Sequence, residues 1–168
     1  LYGFNPENDW YVKVEDDSKA REFTQLTIFN KKNKVLRVET SLFGRHNFLN
    51  ILCAVALSKS LSIPDRDIIE AVQSFRGVCR RQEVFLEIEE RDVKYVDDFA
   101  HHPTAVRETL LGIRSRFPER KIIVVFEPRS NTSVTNVMQK EYETSFNYAD
   151  EVIIGPIYRV DKLPVGMK

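Results

Sequence analysis

Short runs dominated by β-branched and aromatic residues occupy positions 10–14 (WYVKV), 22–29 (EFTQLTIF) and 34–38 (KVLRV). That composition suits a pleated, half-buried strand. The polar stretch NKKNK between the second and third is a turn signal, so those two form a predicted hairpin. The pattern then changes. GRHN opens a helix over 47–60 (NFLNILCAVALSKS) that is apolar nearly all round, and such a helix is expected to be buried. SIPDRDIIEAVQSF is a second helix, whose acidic first turn complements the positive end of the helix dipole. Gly77 stops it.

A different alternation begins at residue 83. Residues 83–89 (EVFLEIE) and 93–97 (VKYVD) read as a hairpin across ERD, and 103–117 (PTAVRETLLGIRSRF) as an amphipathic helix. KIIVVFEP is a continuous apolar strand of the buried parallel kind. SVTNVMQKEYETSFNYA predicts a helix over 133–149, and EVIIGP a second buried strand. Strands alternating with helices predict an α/β fold with a mostly parallel sheet. The stretch 76–82 (RGVCRRQ) is the expected linker, which makes 1–77 the tail of one domain and 80–168 most of another. There is no internal repeat and no low-complexity segment.

Composition narrows the class. Hydrophobic residues make up 42% and charged residues 30%, as in a soluble globular protein, and 25 basic residues balance 25 acidic ones. With no positive excess, a nucleic-acid partner is not favoured. No apolar run approaches the ~20 residues a membrane helix needs. Cys53 and Cys79 lack metal-ligand spacing and read as reduced thiols of a cytosolic protein. The opening LYGFNPENDW has no basic or apolar leader pattern, and the chain is expected to be a piece of a longer protein.

Four stretches carry candidate chemistry. In GRHNFLN, His46 and Asn47 stand at a helix start with Asn50 one turn on. Asn is a poor helix-interior residue. A carboxamide can pair with adenine, and the free N–H groups of a helix start suit anions; alternatively, Asn47 caps and Asn50 bonds a neighbouring loop. In CRRQE, Arg80 and Arg81 lie at the domain junction, where a guanidinium fork could take phosphate or simply be solvated. In DDFAHHPT, Asp97, Asp98, His101 and His102 follow a strand end, where ligands of α/β sheets bind. Asp98 could accept both hydroxyls of a ribose, or the stretch could be a polar helix cap. In FEPRSNTS, Arg129, Ser130, Asn131, Thr132 and Ser133 follow another strand end and could hold a carboxylate or phosphate, or cap the next helix. Arg159 falls at the same end of the sheet.

GRHNFLNILCA, RRQE, VDDFAHHPTAVRET and FEPRSNTS, in this order, resemble the Mur ligases over essentially all of 1–168. Within that family FEPRSNTS is most similar to the branch that attaches recycled murein peptide (L-alanyl-γ-D-glutamyl-meso-diaminopimelate) to UDP-N-acetylmuramate; the UDP-N-acetylmuramate–L-alanine branch is the alternative. The resemblance implies that 1–77 is the C-terminal part of the central, P-loop ATP-binding domain. It implies that 80–168 is a Rossmann-like C-terminal domain, in a cytoplasmic bacterial enzyme of peptidoglycan recycling. Such ligases join a carboxylate to an amine through an acyl phosphate made from ATP with Mg2+.

By resemblance, His46, Asn47, Asn50, Arg81 and Asp98 would contact ATP. Arg129, Ser130, Asn131, Thr132 and Arg159 would face the second substrate, with His101 and His102 as catalytic candidates. The implied partners are UDP-N-acetylmuramate, a murein tripeptide and the rest of the same polypeptide, with no nucleic acid and no membrane. The sequence has no G-x-x-x-x-G-K-S/T motif, so the phosphate cradle and the Mg2+ ligands are expected elsewhere and the chain alone is expected to be inactive. Two competing readings are a metal-dependent phosphoesterase built on Asp97, Asp98, His101 and His102, and a non-catalytic nucleotide-binding module.

Overall fold

In the computed structural model, which describes residues 1–16, 23–130 and 133–157, the apolar runs at the start of the chain become a four-stranded sheet. Its order is β1 (Tyr2–Gly3), β2 (Trp10–Asp16), β3 (Thr24–Asn30) and β4 (Asn33–Thr40). β2, β3 and β4 pair antiparallel, and the two-residue β1 lies parallel to β2. Lys31 and Lys32 connect β3 to β4 with φ of 45° and 70°. Left-handed backbone at both central residues gives the turn the twist that antiparallel strands require. For a non-glycine residue it costs about 1–2 kcal/mol each.

Alternate residues of the strands, Val12, Leu26, Ile28, Leu36 and Val38, form one core with Phe48, Ile51, Leu52 and Val55 of α1 (Arg45–Ser60) and Ile68 of α2 (Asp65–Ser74). The four α1 positions are spaced three and four apart, so a single stripe of that helix is buried. The expectation of all-round burial is therefore corrected. Leu57 is 59% exposed and Leu61, just past the helix end, 74%. One sheet covers only the helix face turned toward it, and composition does not say how many layers a helix will meet.

The chain divides into two compact units, Leu1–Gly77 and Val78–Lys168. In the second, β5 (Glu83–Ile88) and β6 (Val93–Asp97) pair antiparallel around a short 3-10 turn at Glu89–Arg91. α3 (Pro103–Arg116) follows. β7 (Ile123–Phe126) then pairs in parallel with β8 (Glu151–Ile154), and α4 (Gln139–Ser145) lies between them in sequence. Val106, Leu110 and Ile122 are the buried centre, with Val124, Phe126, Tyr142 and Phe146 packed around them.

Two expectations change in this unit. α4 is shorter than 133–149, because residues 133–138 form turns and a 3-10 segment. Val134, Thr135 and Val137 are β-branched and Asn136 competes for backbone hydrogen bonds, so the helix starts only at Gln139. The parallel strands are also not buried on both faces: Ile123, Val125 and Ile153 are 52, 74 and 54% exposed.

Polar pins supplement the small core. Arg114 donates to the carbonyls of Tyr148 (3.2 Å), Pro118 (3.3 Å) and Arg120 (2.8 Å) and to Asp150 Oδ2 (2.6 Å). The Asp150 carboxylate also accepts from Ile122 N–H at 2.7 Å. That backbone hydrogen bond, then the Arg114 guanidinium, holds the carboxyl below the usual carboxylate range. Among the described residues no helix is long and apolar enough to cross a membrane.

Candidate functional site

The candidate residues divide between the two units. In the first, Gly44 has φ 87° and begins α1, which places His46 and Asn47 in its first turn. Asn47 is half-buried and its Nδ2 donates to the Phe43 carbonyl at 2.8 Å. His46 is half-buried and Asn50 is exposed. The Asn47 carboxamide thus braces the turn before the helix, whereas Asn50 lies on the side of α1 away from the core stripe.

In the second unit the linker turn is held by carboxylates. Arg80 and Gln82 both have left-handed backbone, φ 59° and 49°. Arg80 N–H donates to Glu83 Oε2 (2.7 Å), Arg80 Nε to Asp97 Oδ2 (3.1 Å), and Gln82 N–H to Asp98 Oδ2 (2.9 Å). Gln82 is buried, and its Nε2 reaches the Thr109 carbonyl of α3 at 3.3 Å. The Arg80 N–H, then the Cys79 thiol, lowers the Glu83 carboxyl, and the same carboxylate raises the Cys79 thiol, keeping it protonated.

Asp98 lies just past the carboxyl end of β6. Its Oδ1 accepts from Ala100 N–H (2.7 Å), and its Oδ2 also takes the Thr109 hydroxyl (3.3 Å). With Gln82, three donors of the chain orient it. A carboxylate has about four acceptor positions, so room for an incoming hydroxyl remains, and the side chain keeps 13% exposure.

The histidines serve the same loop. His101 Nδ1 donates to the Phe99 carbonyl at 2.9 Å, and His102 Nδ1 accepts from Thr104 N–H at 3.3 Å, capping α3. Pro103 occupies the first helical position, where its missing N–H costs nothing. Asp97, Asp98, His101 and His102 thus turn to separate partners, none shared between two of them. Among the described residues no group of His, Cys, Asp and Glu could hold a metal ion.

The loop after β7 meets the loop after β6. Ser130 Oγ lies 3.5 Å from the His101 carbonyl, which also accepts from the Tyr142 hydroxyl. Partial burial raises the Tyr142 phenol, so it stays a donor. Ser130 and Ser133 hydrogen-bond to each other, and Arg129 Nε lies 3.6 Å from Glu127 Oε1. The structure therefore brings Asp98, His101 and Ser130 into one loop cluster. Asn131, Thr132 and Arg159 lie outside the described residues. Sequence reasoning missed Gln82, Phe99, Thr109 and Tyr142, the residues that hold this cluster together. Only Gln82 carried a signal, as an uncharged residue within RRQE.

Comparison with known proteins accords with this architecture. Residues 80–154 match the family described as Mur ligase, glutamate ligase domain. A UDP-N-acetylmuramate–L-alanine ligase of Brachyspira hyodysenteriae is 34% identical over 164 residues, covering 98% of this chain and 35% of that protein. The crystal structure of the UDP-N-acetylmuramate–alanine ligase of Thermotoga maritima superposes with a TM-score of 0.77 at 25% identity, over 94% of this chain and 34% of that one. A murein peptide ligase of Psychrobacter arcticus gives 0.57 at 29% identity, over 91% and 31%.

The α/β second unit thus belongs to the Mur ligase C-terminal domain family. This chain spans about a third of the length of the relatives it matches. Identity slightly favours the murein peptide ligase among the two structures, but backbone geometry and the curated relatives favour the alanine ligases. These relatives support the expected alternative, the alanine branch, better than the murein peptide branch.

Proposed function

We propose that this chain is part of an ATP-dependent UDP-N-acetylmuramate–L-alanine ligase of the bacterial cytoplasm, which forms a carbon–nitrogen bond in peptidoglycan biosynthesis. In this reading 1–77 is the C-terminal part of its central ATP-binding domain and 80–168 is most of its Rossmann-like last domain. The observation that carries the proposal is the meeting of the Asp98–His102 loop and the Arg129–Ser130 loop on the His101 carbonyl, beyond the strand ends where α/β sheets bind ligands.

In the proposed reaction the muramate carboxylate takes the γ-phosphoryl group of ATP, giving an acyl phosphate and ADP. The amine of L-alanine then attacks the acyl carbon; inorganic phosphate leaves and the amine gives up a proton. Asp98, already oriented by three donors, accepts from one ribose hydroxyl at its remaining acceptor position. Arg81 offers its fork to the phosphates, while His46, Asn47 and Asn50 lie by the adenine. Arg129, Ser130, Asn131, Thr132 and Arg159 hold the alanine carboxylate, and His101, whose Nδ1 donates and whose Nε2 keeps its lone pair, takes the proton, while the other candidate, His102, is engaged as the cap of α3. The Mg2+ that accompanies ATP and the phosphate cradle come from residues other than these. The murein tripeptide is kept as the second candidate amine because of FEPRSNTS and the 29% identical structure.

The test uses the full-length protein that contains this chain. ADP release should require both UDP-N-acetylmuramate and L-alanine, and the 168-residue chain alone should show none. Release that ignores both substrates, or metal-dependent hydrolysis of phosphate esters, would overturn the reading. Asp98→Ala should weaken ATP at least about tenfold, since one charge-assisted hydrogen bond contributes roughly 1.5–3 kcal/mol. The loss should nearly vanish with 2′,3′-dideoxy-ATP. An equal loss with both nucleotides would remove Asp98 from the ribose.

A further inference from the structure

The geometry points to Phe99 as a positioning residue that sets the Arg81 guanidinium for an anion. This rests on the proposed phosphate role of Arg81. The two arginines of the linker turn are not equivalent. Arg80 donates to Asp97 at 3.1 Å, so its charge is matched by a carboxylate. Arg81 makes a longer ion pair, 4.0 Å to Asp98 Oδ1, and donates no hydrogen bond across that distance. Its guanidinium carbon sits 5.5 Å from the centre of the Phe99 ring, and that of Arg80 sits 5.2 Å from the same ring.

Phe99 is placed by its own backbone, whose N–H donates to the Arg80 carbonyl at 2.8 Å. The left-handed residues on either side of Arg81 fix the turn that carries it. An aromatic face orients a guanidinium through the ring quadrupole and uses none of its five donors. A carboxylate would orient it too, but would occupy the fork and cancel the charge. Phe99 therefore orients the Arg81 fork without taking its donors; the ring is shared by both arginines, and the Asp97 hydrogen bond is what sets Arg80 apart.

The test is a double-mutant cycle in the full-length protein, with ATP titrated at saturating UDP-N-acetylmuramate and L-alanine. Phe99 is about half exposed, so Phe99→Leu should fold, which a thermal melt checks; Phe99→Met is the second variant. Phe99→Leu should lower kcat roughly three- to tenfold, the range of a partly desolvated cation–π contact, with the KM for ATP within about twofold. Phe99→Trp, which keeps the π face, should stay within about twofold of the parent. In the Arg81→Ala background Phe99→Leu should add nothing. Independent of turnover, the Phe99→Trp protein should change its indole emission when ATP binds, and lose that change with Arg81→Ala. A crippled Arg81→Ala beside an unaffected Phe99→Leu, or two effects that multiply, would overturn the positioning role alone. An Arg81→Ala protein with normal kcat would remove the phosphate role first, and this inference with it.

Discussion

The two units reach stability by different means. Among its described residues the first has ten buried apolar side chains in one core, from three strands and two helices. The second has three among its described residues and adds carboxylate and guanidinium pins at Asp98, Arg114 and Asp150. Apolar burial is non-directional and holds a layer in place. Hydrogen bonds to charged groups fix where a loop sits. The unit that carries the loop cluster is the one whose loops are pinned, and directional pins suit a site whose groups must be held within fractions of an ångström.

The largest expected break is in the apolar core. Leu52 is fully buried under the sheet, so Leu52→Ala should destabilise the first unit by about 4 kcal/mol. Leu110→Ala, in the smaller core, should cost about 2–3 kcal/mol. Denaturant melts monitored separately in each unit would check the order. A greater loss from Leu110→Ala would reverse the contrast.

Removing a pin comes next. Arg114→Met keeps apolar volume but leaves three carbonyls without that donor and Asp150 with only the Ile122 N–H, and should destabilise the second unit by about 2 kcal/mol. The first unit should be unchanged. Equal losses in both units would show that the pins do not belong to one of them.

Acid should weaken both units alike. Asp150 and Glu83 have lowered carboxyls in the folded state. Their contribution is therefore present above the unfolded carboxylate pKa of roughly 4 and is lost as pH falls through the lower folded values. In the first unit Glu15, lowered chiefly by the Thr27 hydroxyl, and Asp9, lowered chiefly by the Leu1 ammonium, carry the same sensitivity. Both units should therefore lose stability between about pH 4 and 2, and a unit whose melt stays flat over that range would contradict this.

The smallest effect is a gain. Lys31→Asn with Lys32→Gly gives the β3–β4 turn residues suited to left-handed backbone, and should stabilise the first unit by about 1 kcal/mol. An unchanged melting temperature would show that the lysines bear no strain there.

The α/β class was legible because strand and helix periods alternate cleanly from residue 83 onward, and the hairpin because NKKNK is too polar for a strand interior. Burial was less legible. The α1 sequence is apolar on faces that only one layer covers, and IIVVF reads the same whether one or both strand faces are covered. The stretch 133–138 was misread because helical spacing outweighed its β-branched content. The pins were invisible for another reason. Gln82 and Asp98 are 16 residues apart, and Tyr142 and His101 are 41 apart, so no local pattern connects them. DDFAHH and EPRS could be read as strand-end loops, whereas their meeting on one carbonyl is a property of the fold.

The central claim is that these loops serve a ligase whose amine is L-alanine, and competition between amines tests it most directly. The full-length protein would be given ATP, UDP-N-acetylmuramate and equal amounts of L-alanine and L-alanyl-γ-D-glutamyl-meso-diaminopimelate, and the products resolved by mass. The account predicts UDP-N-acetylmuramoyl-L-alanine as the main product, formed with one ADP per amide bond. A product carrying the tripeptide in its place would contradict it.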